Sequence, residues 1–108
     1  MFENKPPIRS TLEDVADLAE DINRFVIGLG ERIDSIQDAE LSQDFRQLVS
    51  LAGLLLQDAE RLGYPALAQT ARAIEIAAGD AKAEAVQEAN VELTDLAQRV
   101  RRGHRGAA

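Results

Sequence analysis

The stretch that decides the fold is "LVSLAGLLLQDAERLG", Leu48–Gly63. Its apolar residues recur at alternating spacings of four and three, in a series that begins upstream: Leu41, Phe45, Leu48, Ala52, Leu55, Ala59 and Leu62. At about 100° per residue, this spacing predicts an α-helix with one apolar face. Gly53 lies about 160° from that face, so it is expected on the exposed side. Gly63 suits the left-handed conformation that often follows a helix.

The sequence before this helix predicts another helix and an extended arm. Apolar residues at spacings of three or four predict a helix from about residue 11 to about residue 36, with Ser10 or Thr11 as its N-cap. They are Leu12, Val15, Leu18, Ile22, Val26, Leu29, Ile33 and Ile36. "DAEL", 38–41, would connect the two helices, and Asp38 would cap the second. Two prolines and a lack of periodicity predict an extended N-terminal arm over residues 1–10.

The sequence after Gly63 predicts two further helices. Pro65 is suited to the first turn of a short third helix that ends near Ala77. Gly79 would end that helix, and Asp80 would cap a fourth helix over 81–102. The inward-facing residues would be Leu67, Ala71, Ile74, Ala78, Val86, Ala89, Leu93, Leu96 and Val100. Short connections favour an all-α, up-and-down four-helix bundle over 11–103. Residues 104–108 would form a basic, flexible tail.

Composition excludes several classes of function. The chain of 108 residues has no cysteine, which excludes thiolate chemistry and fits a reducing compartment. Its longest apolar run, "LAGLLL", is far shorter than the ~20 residues that span a bilayer, and no signal peptide is apparent, so we expect no membrane partner and a cytoplasmic location. The net charge of −7 disfavours binding of nucleic acid through the bundle.

The residue types that form catalytic or metal sites are scarce. His104 is the only histidine and lies between glycines in the tail, so we expect a solvated residue rather than a ligand or base. No glutamate-x-x-histidine pair and no phosphate-binding glycine loop occur. We therefore expect no enzyme activity, no cofactor and no metal.

The outer face of the second helix is the candidate for partner binding. It has Gly53 near its centre and apolar residues at its margins, and comprises Arg46, Val49, Ser50, Gly53, Leu54, Leu56, Gln57 and Glu60. Two interpretations of Gly53 remain open. In the first, Gly53 lowers the stability of a packed helix by about 1 kcal/mol and is tolerated. In the second, the missing side chain gives a partner close access to the backbone.

Residues from about 22 to 100 resemble a histidine phosphotransfer (HPt) domain, the four-helix module of bacterial phosphorelays. That family has the pattern H-x-L-K-G-x-x-x-x-L-G, then L-A-x-x-A-x-x-[LI]-E and a GD turn. In "RLGYPALAQTARAIEIAAGD" the matching residues are Leu62, Gly63, Leu67, Ala68, Ala71, Ile74, Glu75, Gly79 and Asp80. Upstream, "RFVIGLGERI" resembles the first long helix of the family.

The resemblance fails at the phosphorylated segment. Counting back from Leu62 aligns Gly53 with the family's histidine, Leu56 with its lysine and Gln57 with its glycine, whereas Leu55 matches the conserved pattern. Glycine cannot accept a phosphoryl group, and an ester on Ser50 would not reproduce the labile N-phosphate. The resemblance therefore implies a docking face without phosphotransfer.

Three functional hypotheses follow. The first is a non-catalytic, HPt-like module that docks a response-regulator receiver domain or a histidine kinase, as competitor or adaptor. The second is a structural or assembly protein that self-associates as a homodimer through Leu54 and Leu56, or scaffolds a complex. The third, an active phosphotransferase, leaves His104 as its sole candidate acceptor, and we expect no transfer.

Overall fold

The structure is a computed structural model that describes residues 5–104, and this part of the chain is all-helical. A single 3-10 turn, Ala16–Leu18, leads into α1, Ala19–Leu41. The other helices are α2, Phe45–Arg61, α3, Pro65–Gly79, and α4, Ala83–Gly103. None of these helices is long and apolar enough to cross a membrane.

The helices pack in a ring. The backbone of α1 approaches those of α2 and α4, and the backbone of α3 also approaches those of α2 and α4, whereas the diagonal pairs, α1 with α3 and α2 with α4, have no Cα atoms within 8 Å of each other. These are the contacts of a helical bundle around one core. Every inward-facing residue predicted for the last two helices is buried, as are those predicted in α2 from Leu48 onward and in α1 from Ile22 onward.

The three connections share one backbone geometry. In each, the second of three residues has a positive φ: 52° at Gln43, 84° at Gly63 and 53° at Ala81. In each connection, the N–H of the residue after this position donates to the carbonyl five positions before it. Tyr64 donates to Ala59 over 2.8 Å, and Lys82 donates to Ala77 over 2.9 Å. This is the hydrogen bond of a left-handed helix C-terminus, so the prediction for Gly63 is confirmed.

The predicted start of the first helix is wrong. α1 begins at Ala19 instead of near residue 11, and residues 11–14 form a turn. Ser10 does not cap a helix. Its buried hydroxyl donates to the carbonyl of Leu62 and accepts from the N–H of Leu12 over 3.0 Å. The hydroxyl thus holds the chain against the α2–α3 connection.

The predicted end of the first helix is also wrong. "DAEL" is the last turn of α1, and Leu41 is 84% exposed rather than inward-facing. The N-cap of α2 is Asp44, whose carboxylate accepts from the N–H of Gln47 over 3.1 Å, instead of Asp38. Asp80 likewise caps nothing with its side chain, because α4 begins at Ala83.

The N-terminal arm, defined here as residues 5–12, lies along one end of the bundle. The N–H of Ile8 donates to the carbonyl of Arg99 over 3.0 Å, and the N–H of Thr11 donates to the carbonyl of Gly63 over 2.8 Å. A Cβ at Gly63 would lie 2.7 Å from the Ser10 hydroxyl, and a Cβ at Gly103 would overlap the backbone of Ile8. Both glycines therefore make room for the arm.

Candidate functional site

The structure distributes the predicted partner-binding residues over three environments. The exposed members are Arg46, Ser50, Leu54, Gln57 and Glu60, and the half-buried members are Val49 and Gly53. Leu56 is only 9% exposed and belongs to the core. Its predicted role as an apolar contact at the margin of the face is therefore wrong, because α3 covers that side of α2. The remaining seven residues are called the α2 face below.

Gly53 is covered by a side chain from α3. A Cβ on Gly53 would lie 2.9 Å from Oε2 of Glu75, so the missing side chain leaves space for that carboxylate. The expectation that Gly53 is fully exposed is therefore wrong. The angle of Gly53 around the helix axis correctly predicts that it points away from the core. That angle cannot predict that the side chain of Glu75, on α3, covers it.

Ion pairs flank the α2 face on both sides. On the α1 side, Arg32 contacts Asp58 over 2.8 Å and Arg61 contacts Asp21 over 3.2 Å. On the α3 side, a longer pair of 3.9 Å joins Arg72 to Glu60. Exposed pairs of this kind contribute about 0–1 kcal/mol each, so their main effect is to orient side chains along the two edges of the face.

Leu54 is the apolar centre of the α2 face. It is 56% exposed on a helix whose opposite side is fully buried. Leu51 and Gly28 lie beside it along a shallow groove between α1 and α2, and a Cβ on Gly28 would meet nothing within 4 Å. A partner side chain could therefore pack against Leu54 from the open direction.

A second concave region lies at the end of the bundle that the arm covers. Residues of the arm and the turn that follows it, the start of α1, Tyr64 and the end of α4 line an open cavity of about 660 Å³. His104 lies at its edge, half-buried, with Nε2 2.9 Å from Oδ1 of Asn23. The expectation of a solvated tail residue is therefore wrong for His104, while residues 105–108 lie outside the described residues. Sequence reasoning missed this cavity because the residues that form it are far apart in the chain.

Tyr64 is the most buried polar side chain of this cavity. It is 1% exposed, and its ring stacks on that of Phe25 with centroids 5.6 Å apart. Burial, with a smaller contribution from the nearby Glu13 carboxylate, raises the pKa of the phenol above its usual value of 10.0. The hydroxyl is therefore protonated at neutral pH.

We expect this phenol to make the protein less stable in strong alkali. The folded state retains a proton that the unfolded state releases, so the free energy of unfolding is unaffected below about pH 10 and falls as the pH rises above it. Tyr64 is the only tyrosine and there is no tryptophan, so absorbance at 295 nm reports its titration directly. A midpoint at or below that of the urea-unfolded protein would contradict the burial of the phenol.

Neither region contains a cluster that could hold a metal ion: within residues 5–104, no group of three histidine, aspartate or glutamate side chains is suitably placed. The chain matches no model of a known protein family, no curated protein and no solved structure. The functional argument therefore depends on the geometry of the two regions and on the resemblance in sequence.

Proposed function

We propose that this chain is a non-catalytic, HPt-like protein-binding module of bacterial two-component signalling. It docks a receiver domain or a histidine kinase in the cytoplasm through the α2 face, as a competitor or an adaptor. The observation that carries the proposal is the exposure of Leu54 among polar residues on an outer helix face. A continuous apolar surface with a polar rim is typical of surfaces that bind other proteins, and Leu54 with the half-buried Leu51 beside it provides the apolar part here.

An up-and-down arrangement of the four helices belongs to this proposal. Two features support it: the connections have three residues each, which favours antiparallel neighbours, and the arm contacts both Gly63, after α2, and Gly103, at the end of α4. In such a bundle α2 and α4 would end on the same side. The outer face of α2 would then run along the side of the bundle, open to a partner.

The module is proposed to bind without transferring phosphate, because Gly53 has no group that could accept it. The carboxylate of Glu75 occupies the space that a side chain on residue 53 would enter. This places a negative charge next to the position aligned with the phosphorylated histidine. A partner would therefore meet a permanent anion there, with Arg46 the basic member of the same face.

Replacing Gly53 with tryptophan should abolish or strongly weaken docking while the protein stays folded. An indole would displace the Glu75 side chain and project from the α2 face, so we expect at least about a tenfold loss of affinity. The measurement is calorimetric titration against receiver and kinase domains from the same host. Helix content by circular dichroism and the melting temperature should change little, because the substitution adds no group to the core.

Val91→Trp is the matched control. Val91 is exposed on α4, whose backbone has no Cα atom within 8 Å of α2, so the same indole there should leave the affinity unchanged. Equal affinity of the Gly53→Trp and native proteins for a bound partner would refute docking at the α2 face. Absence of binding across the whole panel would refute the proposed class of partner.

Self-association is the second candidate function, and the exposure of Leu54 favours it as well. The homodimer was predicted to form through Leu54 and Leu56. Because Leu56 is buried, only Leu54 of these two residues could enter the interface. Light scattering distinguishes the two candidates. A dimer that Leu54→Lys converts to a monomer would support self-association, whereas a native monomer at high concentration would exclude it.

A further inference from the structure

The cavity beside Tyr64 is separate from the α2 face. From its walls and their charge, we propose that it binds a small organic monocation, an ammonium group attached to an apolar body. This inference does not depend on the proposed function. It follows from three observations: one wall of the cavity is anchored backbone, its lining has a net negative charge, and the almost completely buried Tyr64 is part of that lining.

The wall formed by the arm is held in place by several contacts. Ser10 donates to the carbonyl of Leu62, and Thr11 and Ile8 add the backbone hydrogen bonds described above. Gly63 and Gly103 allow this close approach, since a Cβ on either would meet arm atoms at 3.0 Å or less. The cavity is therefore formed by several segments of the chain that are far apart in sequence. Its volume is in the range usual for small-molecule sites.

The charge of the lining favours a cation. Glu13, Asp14, Glu20 and Arg9 are the charged residues of the lining, which gives it a formal net charge of −2 with His104 neutral. Arg9 donates to the Glu13 carboxylate over 2.8 Å. Glu20 is 3.2 Å from Arg24, whereas Asp14 forms no ion pair among residues 5–104. Asp14 is therefore the carboxylate available to an incoming ammonium group.

The hydroxyl of Tyr64 is the second indication of a ligand. The residue is almost completely buried, yet it lines the cavity, and its hydroxyl takes part in none of the hydrogen bonds formed among residues 5–104. Buried polar groups are normally paired, so a phenol at the cavity wall whose hydroxyl forms no hydrogen bond among residues 5–104 is suited to bond a ligand or water.

The apolar part of the ligand is inferred from the apolar side chains of the cavity. Ile22 and Ala19 are the aliphatic residues of its lining. A metal ion would need a set of converging ligands, and the described residues provide no such cluster. An aralkylamine combines the two required properties, because its ammonium group can reach Asp14 while its ring contacts Ile22.

Three probes of nearly equal size test the proposal on the full chain: benzylamine, benzyl alcohol and phenylacetate. His104 is the only histidine and lies at the cavity edge, so its imidazole carbon-bound protons report binding by NMR. We expect saturable shifts with benzylamine, weaker binding of benzyl alcohol and no binding of phenylacetate. Added salt should weaken benzylamine binding, since the carboxylates are exposed. Equal affinity for benzylamine and benzyl alcohol, or no saturation with either, would overturn the proposal.

Two substitutions localise the binding. Asp14→Asn should weaken benzylamine binding about two- to fivefold, the effect of one partly exposed charge pair, and Tyr64→Phe should weaken it by a similar factor. Asp17→Asn is the matched control, because Asp17 lies in the adjacent 3-10 turn and does not line the cavity. An equal effect of Asp14→Asn and Asp17→Asn would show general charge attraction and would refute the assigned site.

Discussion

Replacing Tyr64 with alanine should lower the free energy of unfolding by about 3–5 kcal/mol, the usual loss for a fully buried aromatic side chain. The ring is packed between elements that are distant in sequence, because it stacks on Phe25 of α1 and also lines the cavity under the arm. Arg32 lies over the other aromatic ring, 5.7 Å from the Phe25 centroid, and would lose part of its support. Urea unfolding followed by circular dichroism measures the change.

Tyr64→Phe is the control for this prediction. It keeps the ring and removes a hydroxyl that takes no part in the hydrogen bonds among residues 5–104, so we expect a change within about 0.5 kcal/mol. A large loss of stability in Tyr64→Phe would mean that the hydroxyl has a structural partner. That result would remove one of the observations on which the amine-binding proposal is based.

Gly63→Ala should also be strongly destabilising, with a loss of about 2–4 kcal/mol. The φ of 84° at Gly63 costs an alanine about 1–2 kcal/mol, since its Cβ is crowded in the left-handed conformation. The new methyl would also lie 2.7 Å from the hydroxyl oxygens of Ser10 and Thr11 and 2.9 Å from the N–H nitrogen of Leu12. The arm would have to move, with the loss of its hydrogen bond to the carbonyl of Gly63.

Gly28→Ala is the control for Gly63→Ala, because it adds the same methyl group at a glycine that the arm does not contact. Gly28 lies inside α1, where a Cβ would meet nothing within 4 Å, so alanine should stabilise the protein by up to about 1 kcal/mol. The two variants should therefore move the urea midpoint in opposite directions. If Gly63→Ala unfolds at the same urea concentration as the native protein, the docking of the arm against Gly63 is incorrect.

The sequence predicted the structure correctly where the apolar spacing along a helix matches the side that packs against its neighbours. The apolar spacing in α2, α3 and α4 predicted which side of each helix is buried, because a helix that contacts two neighbours needs one continuous apolar face. Gly63 and Pro65 also marked the boundary between α2 and α3 correctly. These residues act through their own backbone preferences, which is why the sequence alone was sufficient.

The start of α1 could not be predicted because a distant contact competes with the local pattern. Leu12, Val15 and Leu18 continue the helical spacing of α1, and Ser10 is a suitable N-cap residue. In the structure the hydroxyl of Ser10 instead bonds the carbonyl of Leu62, 52 positions away. Spacing along the chain does not reveal such a partner, so the helix was predicted to begin too early.

The candidate sites were harder to predict than the helices. The direction of Gly53 was correct, but its burial is set by Glu75 on another helix. The cavity beside Tyr64 depends on the arm, the start of α1 and the end of α4 together. No local pattern in the sequence marks the residues that line the cavity, because they come from separate segments of the chain. The sequence therefore indicated the α2 face and not the cavity.

The shared geometry of the three connections has a consequence for engineering the molecule. Gln43 and Ala81 adopt the same left-handed conformation as Gly63 but are exposed, and Glu40, Gln43 and Phe45 line one shallow pocket with Ala83, Glu84 and Gln87. Exposed loop tips of this kind accept inserted segments best. A fluorescent label or an affinity tag placed within 42–44 or 80–82 would therefore leave both the arm and the cavity intact.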